Sequence, residues 1–297
     1  MILYGTKIDS DIEFSYDFSH QTSYRYSKKL RANPPLDIKE SIKCGLKLYQ
    51  AHGRKVYLYS NQEFDSYKTH QPFCYQVADI LKFYWIAHED TIYYEFTQKV
   101  DTHMLSFWFT HLMFPFYIAL ENMYDIFHGG AVEVDDKPIL FLAPSMGGKS
   151  TMTDFFIQQN HTLISDDKVP TFIQDDKFYI VGSHPYHRPY RKFEDLGYRV
   201  DNFISTFKPI HAFYLLEKTS PTHSVEIEEI RGFKKFNSLL PHYLFSFPWN
   251  KIQRLQYLSS INNSIRLFKV QVPWDMDRLI EVHNHIVQHT SDIQGER

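Results

Sequence analysis

A lysine flanked by glycines and hydroxyls follows an apolar run near the middle of the chain. Residues 140–151 read LFLAPSMGGKST, so Lys149 comes after a glycine pair and before Ser150 and Thr151. Small residues let backbone N–H groups curl around a phosphate, and a helix that begins at the lysine points the positive end of its dipole at that anion. The lysine then reaches the β and γ phosphate oxygens, and the Ser150 hydroxyl is placed to coordinate Mg²⁺. The pattern predicts a nucleoside triphosphate site.

The predicted phosphate loop has a strand-like run before it and a helix-like run after it. This context separates it from an ordinary strand-to-helix turn, which is the alternative interpretation. Ala143 stands where the usual pattern has its first glycine, and an alanine fits there if its φ is negative. The residues predicted to contact the nucleotide are Pro144, Ser145, Met146, Gly147, Gly148, Lys149, Ser150 and Thr151.

A pair of acids ends the next apolar run, LISDD at residues 163–167. A hydrophobic strand that ends in aspartate is typical of the acidic element that holds Mg²⁺ in this class of site. Two adjacent acids allow one to hold the metal while the other takes a proton from an attacking hydroxyl. The pairs Asp135-Asp136 and Asp175-Asp176 lie between strand-like runs, so we interpret them as hairpin turns.

Three motifs in order resemble the catalytic domain of the HPr kinase/phosphorylase family: His128-Gly129, then Gly148-Lys149-Ser150, then NHTLISDD. The resemblance is firm over residues 128–170 and looser from there to the end. It implies an ATP-dependent kinase whose α/β fold, a phosphate-loop domain with a mixed sheet, is similar to that of phosphoenolpyruvate carboxykinase. It also implies that Asp167 is the catalytic base, that Asp166 and Ser150 hold Mg²⁺, and that His128 lies with Lys149 near the transferred group.

The amino-terminal region looks like that of the HPr-kinase-related proteins of peptide-modification pathways, including kinases of lasso-peptide pathways. This resemblance implies that the acceptor is a Ser or Thr hydroxyl of a peptide or protein. A later family signature, a glutamate between apolar positions with a glycine-rich stretch, is not found here, so HPr itself is not the expected substrate. Two alternatives stay open: a kinase of small-molecule hydroxyls, and an ATP-binding regulator that forms no phosphorylated product.

The segment SHPYHRPYR supplies His187, Arg188 and Arg191 after the second predicted hairpin. Arginines there can neutralise phosphate oxygens during transfer, so these three residues are predicted to bind substrate. An exposed basic loop is the alternative interpretation.

The chain is predicted to divide into a smaller α+β region at residues 1–103 and a domain at residues 104–297, which the resemblance implies is the phosphate-loop kinase domain. Short aromatic-rich runs in the first region predict strands, whereas DIKESIKCGLKLYQ (residues 37–50) has spacing close to that of a helix. Residues 105–122 predict a core helix with a kink at Pro115. The LISDD run predicts a strand that stops at its acids.

Composition excludes several classes of protein. A net charge of −3 over 297 residues gives no reason to expect nucleic acid as a partner. Only Cys44 and Cys74 occur, which favours reduced thiols in a cytoplasmic protein. The apolar run at residues 105–120 is too short for a membrane span, and His111 and Pro115 interrupt it. A homo-oligomer is left open.

Overall fold

Two mixed β-sheets organise the computed structural model, which describes residues 1–19, 21–99, 101–189 and 192–293. In that part of the chain, no helix has the length and apolar character needed to cross a membrane. The first sheet and one short helix are built from β1 (Ile2–Leu3), β2 (Thr6–Ser10), β3 (Tyr26–Ala32), α1 (Leu36–Ser41), β4 (Cys44–Ala51), β5 (Arg54–Ser60), β6 (Pro72–Val77), β7 (Leu81–Ile86) and β8 (Thr91–Phe96).

The first sheet has the strand order β1-β2-β3-β8-β7-β6-β5-β4, with parallel pairing from β2 through β3 to β8 and antiparallel pairing elsewhere. The helix predicted for residues 37–50 is wrong over its second half. The chain becomes extended at Ile42, and Leu46 and Leu48 lie in β4, where Leu46 pairs with Leu58 of β5. The spacing of apolar residues in this segment fits a helix or a strand, and pairing with β5 selects the strand.

A helical segment connects the two sheets and consists of α2 (Thr102–Trp108), a π-helical turn (Phe109–Met113) and α3 (Phe114–Leu120). The predicted core helix is therefore present. Its irregularity is a widened turn just before Pro115, in which the Phe114 N–H donates to the Phe109 carbonyl. Widening suits this position, because a proline ring clashes with the carbonyl four residues earlier in a regular helix.

The aromatic side chains of this helical segment are buried in the same cluster as those of the first sheet. Phe107, Trp108 and Phe109 pack there with Phe83 and Trp85 of β7. The segment thus belongs by packing to the core of the first sheet, and the predicted boundary between residues 103 and 104 stays a prediction.

The second sheet and its helices follow. Their elements are β9 (Asp125–Val134), β10 (Lys137–Leu142), α4 (Lys149–Gln158), β11 (Thr162–Gln174), β12 (Lys177–Ile180), β13 (Tyr186–His187), β14 (Tyr198–Arg199), β15 (Lys208–Pro209), β16 (Ala212–Thr219), β17 (Glu226–Ile230), α5 (Gly232–Leu239), a 3₁₀ turn (Leu240–His242), α6 (Lys251–Ser264), β18 (Arg266–Pro273), a 3₁₀ turn (Met276–Arg278) and α7 (Leu279–Asp292).

Helices cover both faces of the second sheet, whose strand order is β15-β12-β11-β9-β10-β16-β18-β17. Successive residues of β10 point to opposite faces, as strand geometry requires: Phe141 packs in the cluster with α4 and α7, and Leu142 packs in the cluster with α5 and α6. β10 pairs in parallel with β16 and antiparallel with β9. The loop after its carboxyl end leads to the start of α4.

The strand predicted to stop at Asp166 and Asp167 does not stop there. β11 continues to Gln174 and pairs with β9, so that Asp166 faces Gly130 and Asp167 faces Gly129. Asp167 has φ +69°, in the left-handed region, and the register shifts between Leu163 and Ser165. The acids therefore lie at an irregular point inside a long strand, beside the beginning of α4.

Candidate active site

The loop between β10 and α4 takes the form that its sequence predicts. Ala143 is not among the described residues with positive φ, so an alanine fits where the pattern usually has glycine. Gly148 precedes the helix with φ +88°, a conformation that suits glycine. Pro144, Ser145 and Met146 are exposed, so the outer rim of the loop is open to a ligand.

Glycine also lets α4 approach the sheet closely. A Cβ atom at Gly130 of β9 would lie 2.0 Å from the Thr153 Oγ1 atom of α4. That hydroxyl donates to the Lys149 carbonyl, which ties the contact to the first turn of the helix. The absence of a side chain at Gly130 therefore fixes how near Lys149 lies to the strand that carries His128.

Lys149, His128 and Asp167 form a continuous row of contacts. The Lys149 Nζ lies 3.2 Å from the His128 Nε2, and the His128 Nδ1 lies 3.2 Å from the Asp167 Oδ1. An ammonium group only donates, so Nε2 accepts this contact, and Nδ1 donates to the Asp167 backbone carbonyl at 3.1 Å beside the carboxylate. Three residues from three separate elements thus meet.

The charge of Asp167 is stabilised by its neighbours. Burial raises the pKa of this carboxyl, but the Lys168 ammonium, the contact with His128 and the nearby Lys149 together hold the pKa well below its usual range. The Lys168 Nζ contacts Asp167 Oδ2 directly. These neighbours therefore favour the ionised form of Asp167, whose side chain is 32% exposed and lines the cleft.

Asp166 is nearly buried. Its Oδ2 lies 2.9 Å from the His187 Nδ1 and accepts the Arg188 backbone N–H at 3.1 Å. Its Oδ1 is buried without a hydrogen-bond partner among the described residues. Burial raises the pKa of Asp166, but the adjacent His187 imidazolium outweighs burial and lowers the pKa below its ordinary value. A buried carboxylate oxygen without a donor is a position that a cation would satisfy.

His187 lies between two carboxylates and has no contact with solvent. Its ring nitrogens lie 2.9 Å from Asp166 and 3.4 Å from Asp154, and its side chain is 0% exposed. Burial lowers its pKa, but the two acids raise the pKa to about 9, so the imidazole is charged at neutral pH. His187, which the sequence predicts to bind substrate, is thus buried and contacts Asp166. Arg191, also predicted to bind substrate, lies outside the described residues.

Arg188 borders the cleft that holds the acids. One guanidinium nitrogen lies 3.0 Å from the His111 Nε2, and the other donates to the Asp195 carbonyl at 3.3 Å. The cleft is lined by His111, Lys149, Ser150, Asp166, Asp167, His184, Tyr186, Arg188, Pro189 and Leu196. The predicted lysine, serine, acids and arginine are therefore brought into one cleft.

The sequence interpretation missed His111, Lys168 and His184. Burial, together with Lys168 and Arg188, lowers the pKa of His111 well below its ordinary value, and burial lowers the pKa of His184 to about 4. Both imidazoles are therefore neutral beside the acids. The signal for His111 in the sequence is a single histidine inside an otherwise apolar run, and its evident effect there is to interrupt a candidate membrane span.

Comparisons with known proteins add little. No family model matches the chain, and no curated protein matches it. A solved structure of the HPr(Ser) kinase/phosphatase from Coxiella burnetii is similar over 55% of this chain and 97% of its own, with 12% sequence identity and a TM-score of 0.33. A TM-score this low does not establish a common fold.

Proposed function

We propose that the chain is an ATP-dependent phosphotransferase with an HPr-kinase-like phosphate-loop domain. It transfers the γ-phosphoryl group to a hydroxyl, with a Ser or Thr of a peptide or protein as the acceptor. The observation that carries the proposal is the row Lys149–His128–Asp167 at the start of α4. A cation for the phosphates and a carboxylate for the incoming hydroxyl are the two groups that in-line phosphoryl transfer asks of a protein.

The residues present fit the triphosphate of ATP. α4 begins at Lys149, and the N–H groups in the first turn of a helix are free of intrahelical partners and suited to an anion. Lys149 would contact the β and γ phosphate oxygens. Arg188, across the cleft, would neutralise charge on the transferred group.

The residues also fit Mg²⁺. Asp166, whose Oδ1 has no hydrogen-bond partner among the described residues, and Ser150 line the same cleft. The described residues include no group of three or more His, Cys, Asp or Glu side chains arranged to hold a metal ion. Magnesium in kinase sites usually takes one or two protein ligands and fills its shell with phosphate oxygens and water, and when bound it neutralises charge on the phosphates.

Asp167 can accept a proton although both of its oxygens already have partners. A carboxylate has about four acceptor positions; Lys168 uses one of them, and the His128 Nδ1, which lies 3.2 Å from Oδ1, donates to the Asp167 backbone carbonyl. The two partners fix the orientation of the carboxylate, so that an acceptor hydroxyl meets it without prior rearrangement. The low pKa of Asp167 keeps it in the basic form.

The proposal is tested by Asp167→Asn in single-turnover phosphorylation of serine peptides, alongside Mg-ATP affinity by calorimetry. An amide cannot accept the hydroxyl proton, and general-base help is worth ~10²–10⁴-fold, so we expect that loss in transfer with nearly unchanged ATP binding. Asp176→Asn, in an exposed hairpin turn, is the matched control and should behave like the parent.

Transfer at the parental rate by Asp167→Asn would show that Asp167 is not the base. A parent protein that hydrolyses ATP but phosphorylates no hydroxyl would instead support a regulator. Phosphorylation of small alcohols and not of peptides would replace only the acceptor.

A further inference from the structure

An apolar groove borders the phosphate loop and is separate from the cleft that holds the acids. The two cavities share no lining residue: Lys149 and Ser150 line the cleft, whereas Gly147, Gly148 and Thr151 line the groove. The rest of the groove is formed by Met152, Leu216, Val272, Pro273, Trp274, Asp275, Met276 and Leu279. The first turn of α4 therefore lies between a charged cavity and an apolar one.

Trp274 is the most distinctive residue of this groove. Its side chain is 48% exposed, which is unusual for so large an apolar group. A Cβ atom at Gly148 would lie 3.0 Å from the Trp274 Cζ3, so the edge of the indole rests on the phosphate loop itself. The Lys218 Nζ lies 3.4 Å from the indole centroid, a cation–π contact that holds the ring in place.

The floor and rim of the groove define what it can bind. Leu216, Val272 and Leu279 are buried and give an apolar floor, while Met276 at the rim is 69% exposed. An occupant that covers this surface must present flat apolar faces. It must also be joined to a group that reaches Gly147 and Gly148. A nucleobase attached through its ribose to the phosphates in the loop meets both requirements.

We propose that this groove binds the purine ring of the nucleotide, with Trp274 as the stacking residue. The inference rests on the proposed nucleotide-binding function and extends it from the phosphates to the base. A purine offers more stacking area than a pyrimidine. The Asp275 carboxylate in the lining can accept a hydrogen bond from an exocyclic amino group. The order base, phosphates, acceptor thus runs from the groove, across the first turn of α4, to the cleft.

The test compares Mg-ATP with magnesium tripolyphosphate, a ligand that has the phosphates but no base or ribose. Both are titrated calorimetrically into the full chain, as the parent and as Trp274→Ala. Base–aromatic stacking corresponds to a loss of roughly 5- to 150-fold in affinity on alanine substitution. We expect that loss for ATP and no change for tripolyphosphate, with ATP affinity largely restored in Trp274→Phe. In the parent, CTP should bind more weakly than ATP.

Phe233→Ala removes an exposed aromatic side chain outside the groove and should leave both affinities unchanged. Unchanged ATP affinity in Trp274→Ala would overturn the base site and leave the phosphate site intact. An equal loss for both ligands would also overturn it, because Trp274 would then only shape the loop. A parent that binds neither ligand would refute the proposed function, and this inference with it.

Discussion

His187 shows how one buried side chain can set the charge state of a candidate metal ligand. It lies between Asp154 and Asp166, neither of which it adjoins in sequence, and the Tyr198 hydroxyl donates to Asp154 at 2.6 Å. The charged imidazole keeps Asp166 ionised inside the protein, so the carboxylate can receive a cation. His187 is thus a positioning residue for Asp166.

The raised pKa of His187 predicts a pH dependence of stability. Its pKa is about 9 in the folded protein against an ordinary 6.5, so the stabilisation is fully present below pH 6.5 and lost as pH rises through 9. A shift of this size corresponds to on the order of 3 kcal/mol. In metal-free buffer, the parent should therefore lose about that much more unfolding free energy between pH 6.5 and 9.5 than His187→Gln does, measured by urea denaturation.

His285→Gln, at an exposed position of α7, is the control and should show the parental pH dependence. A parent and a His187→Gln variant with the same pH dependence would show that His187 is not charged in the folded protein.

Sequence reasoning reached the residues of the site that lie in local motifs and missed those that the fold supplies. Lys149 and Asp167 each follow a recognisable run, so their types and places could be predicted. Asp154 occupies the second turn of a helix with no pattern around it, and its role depends on β13 bringing His187 against it. No local signal encodes such a contact, because it joins elements that are distant in the chain.

At the scale of elements, the contact between α4 and β9 determines where Lys149 lies. Gly130→Ala would place a methyl group 2.0 Å from the Thr153 Oγ1 and force the helix away from the strand. Overpacking of this kind costs about 1–3 kcal/mol. We expect that loss of unfolding free energy, together with weaker Mg-ATP binding, because the lysine moves with its helix.

The double variant Gly130→Ala, Thr153→Ala removes the clashing hydroxyl and should recover part of both losses. Thr153→Ala alone is the reference, since it loses only the hydrogen bond to the Lys149 carbonyl. Strictly additive effects in this cycle would mean that the two elements do not press on each other there.

Hairpins were predictable from the sequence, whereas the end of β11 was not. The turns at Asp135-Asp136 and Asp175-Asp176 have positive φ and separate strands with clear apolar patterns. Asp166 and Asp167 look the same in sequence, yet the chain continues as a strand because Gly129 and Gly130 pair opposite them. Pairing with β9 therefore decides that this acid pair continues a strand and does not form a turn.

At the scale of the whole molecule, Glu194 joins the first sheet to the loop that carries Arg188. Its carboxylate accepts from Arg54 Nε at 2.6 Å and from the Trp108 indole at 2.8 Å, and its backbone N–H donates to His52. Arg54 and His52 lie at the β4–β5 hairpin, and Trp108 ends α2. The candidate site is therefore supported by residues of the amino-terminal half.

Glu194→Ala should damage both stability and activity. Removing one partner of a buried ion pair costs roughly 3 kcal/mol, because the remaining groups stay partly buried without an acceptor. Thermal unfolding measures that loss, and single-turnover transfer measures the displacement of Arg188. Glu63→Ala, an exposed acid of the first half, is the matched control. A stable Glu194→Ala protein with full activity would show that the two halves act independently.

The π-helical turn at Phe109–Met113 makes the length of this segment as important as its composition. Each residue of a regular helix advances the side-chain direction by 100°. A π-helical turn holds one residue more than an α-helical turn, so it takes up an extra residue while the helices on either side keep nearly the phase of one continuous helix. The same number of residues laid out as a regular helix would rotate Thr102–Trp108 by about 100° relative to Phe114–Leu120. Either Trp108 would then leave Glu194, or the aromatic side chains of α3 would leave the core. The widened turn therefore keeps two helical faces in phase, and an insertion next to it should be tolerated less well than the deletion of one of its residues.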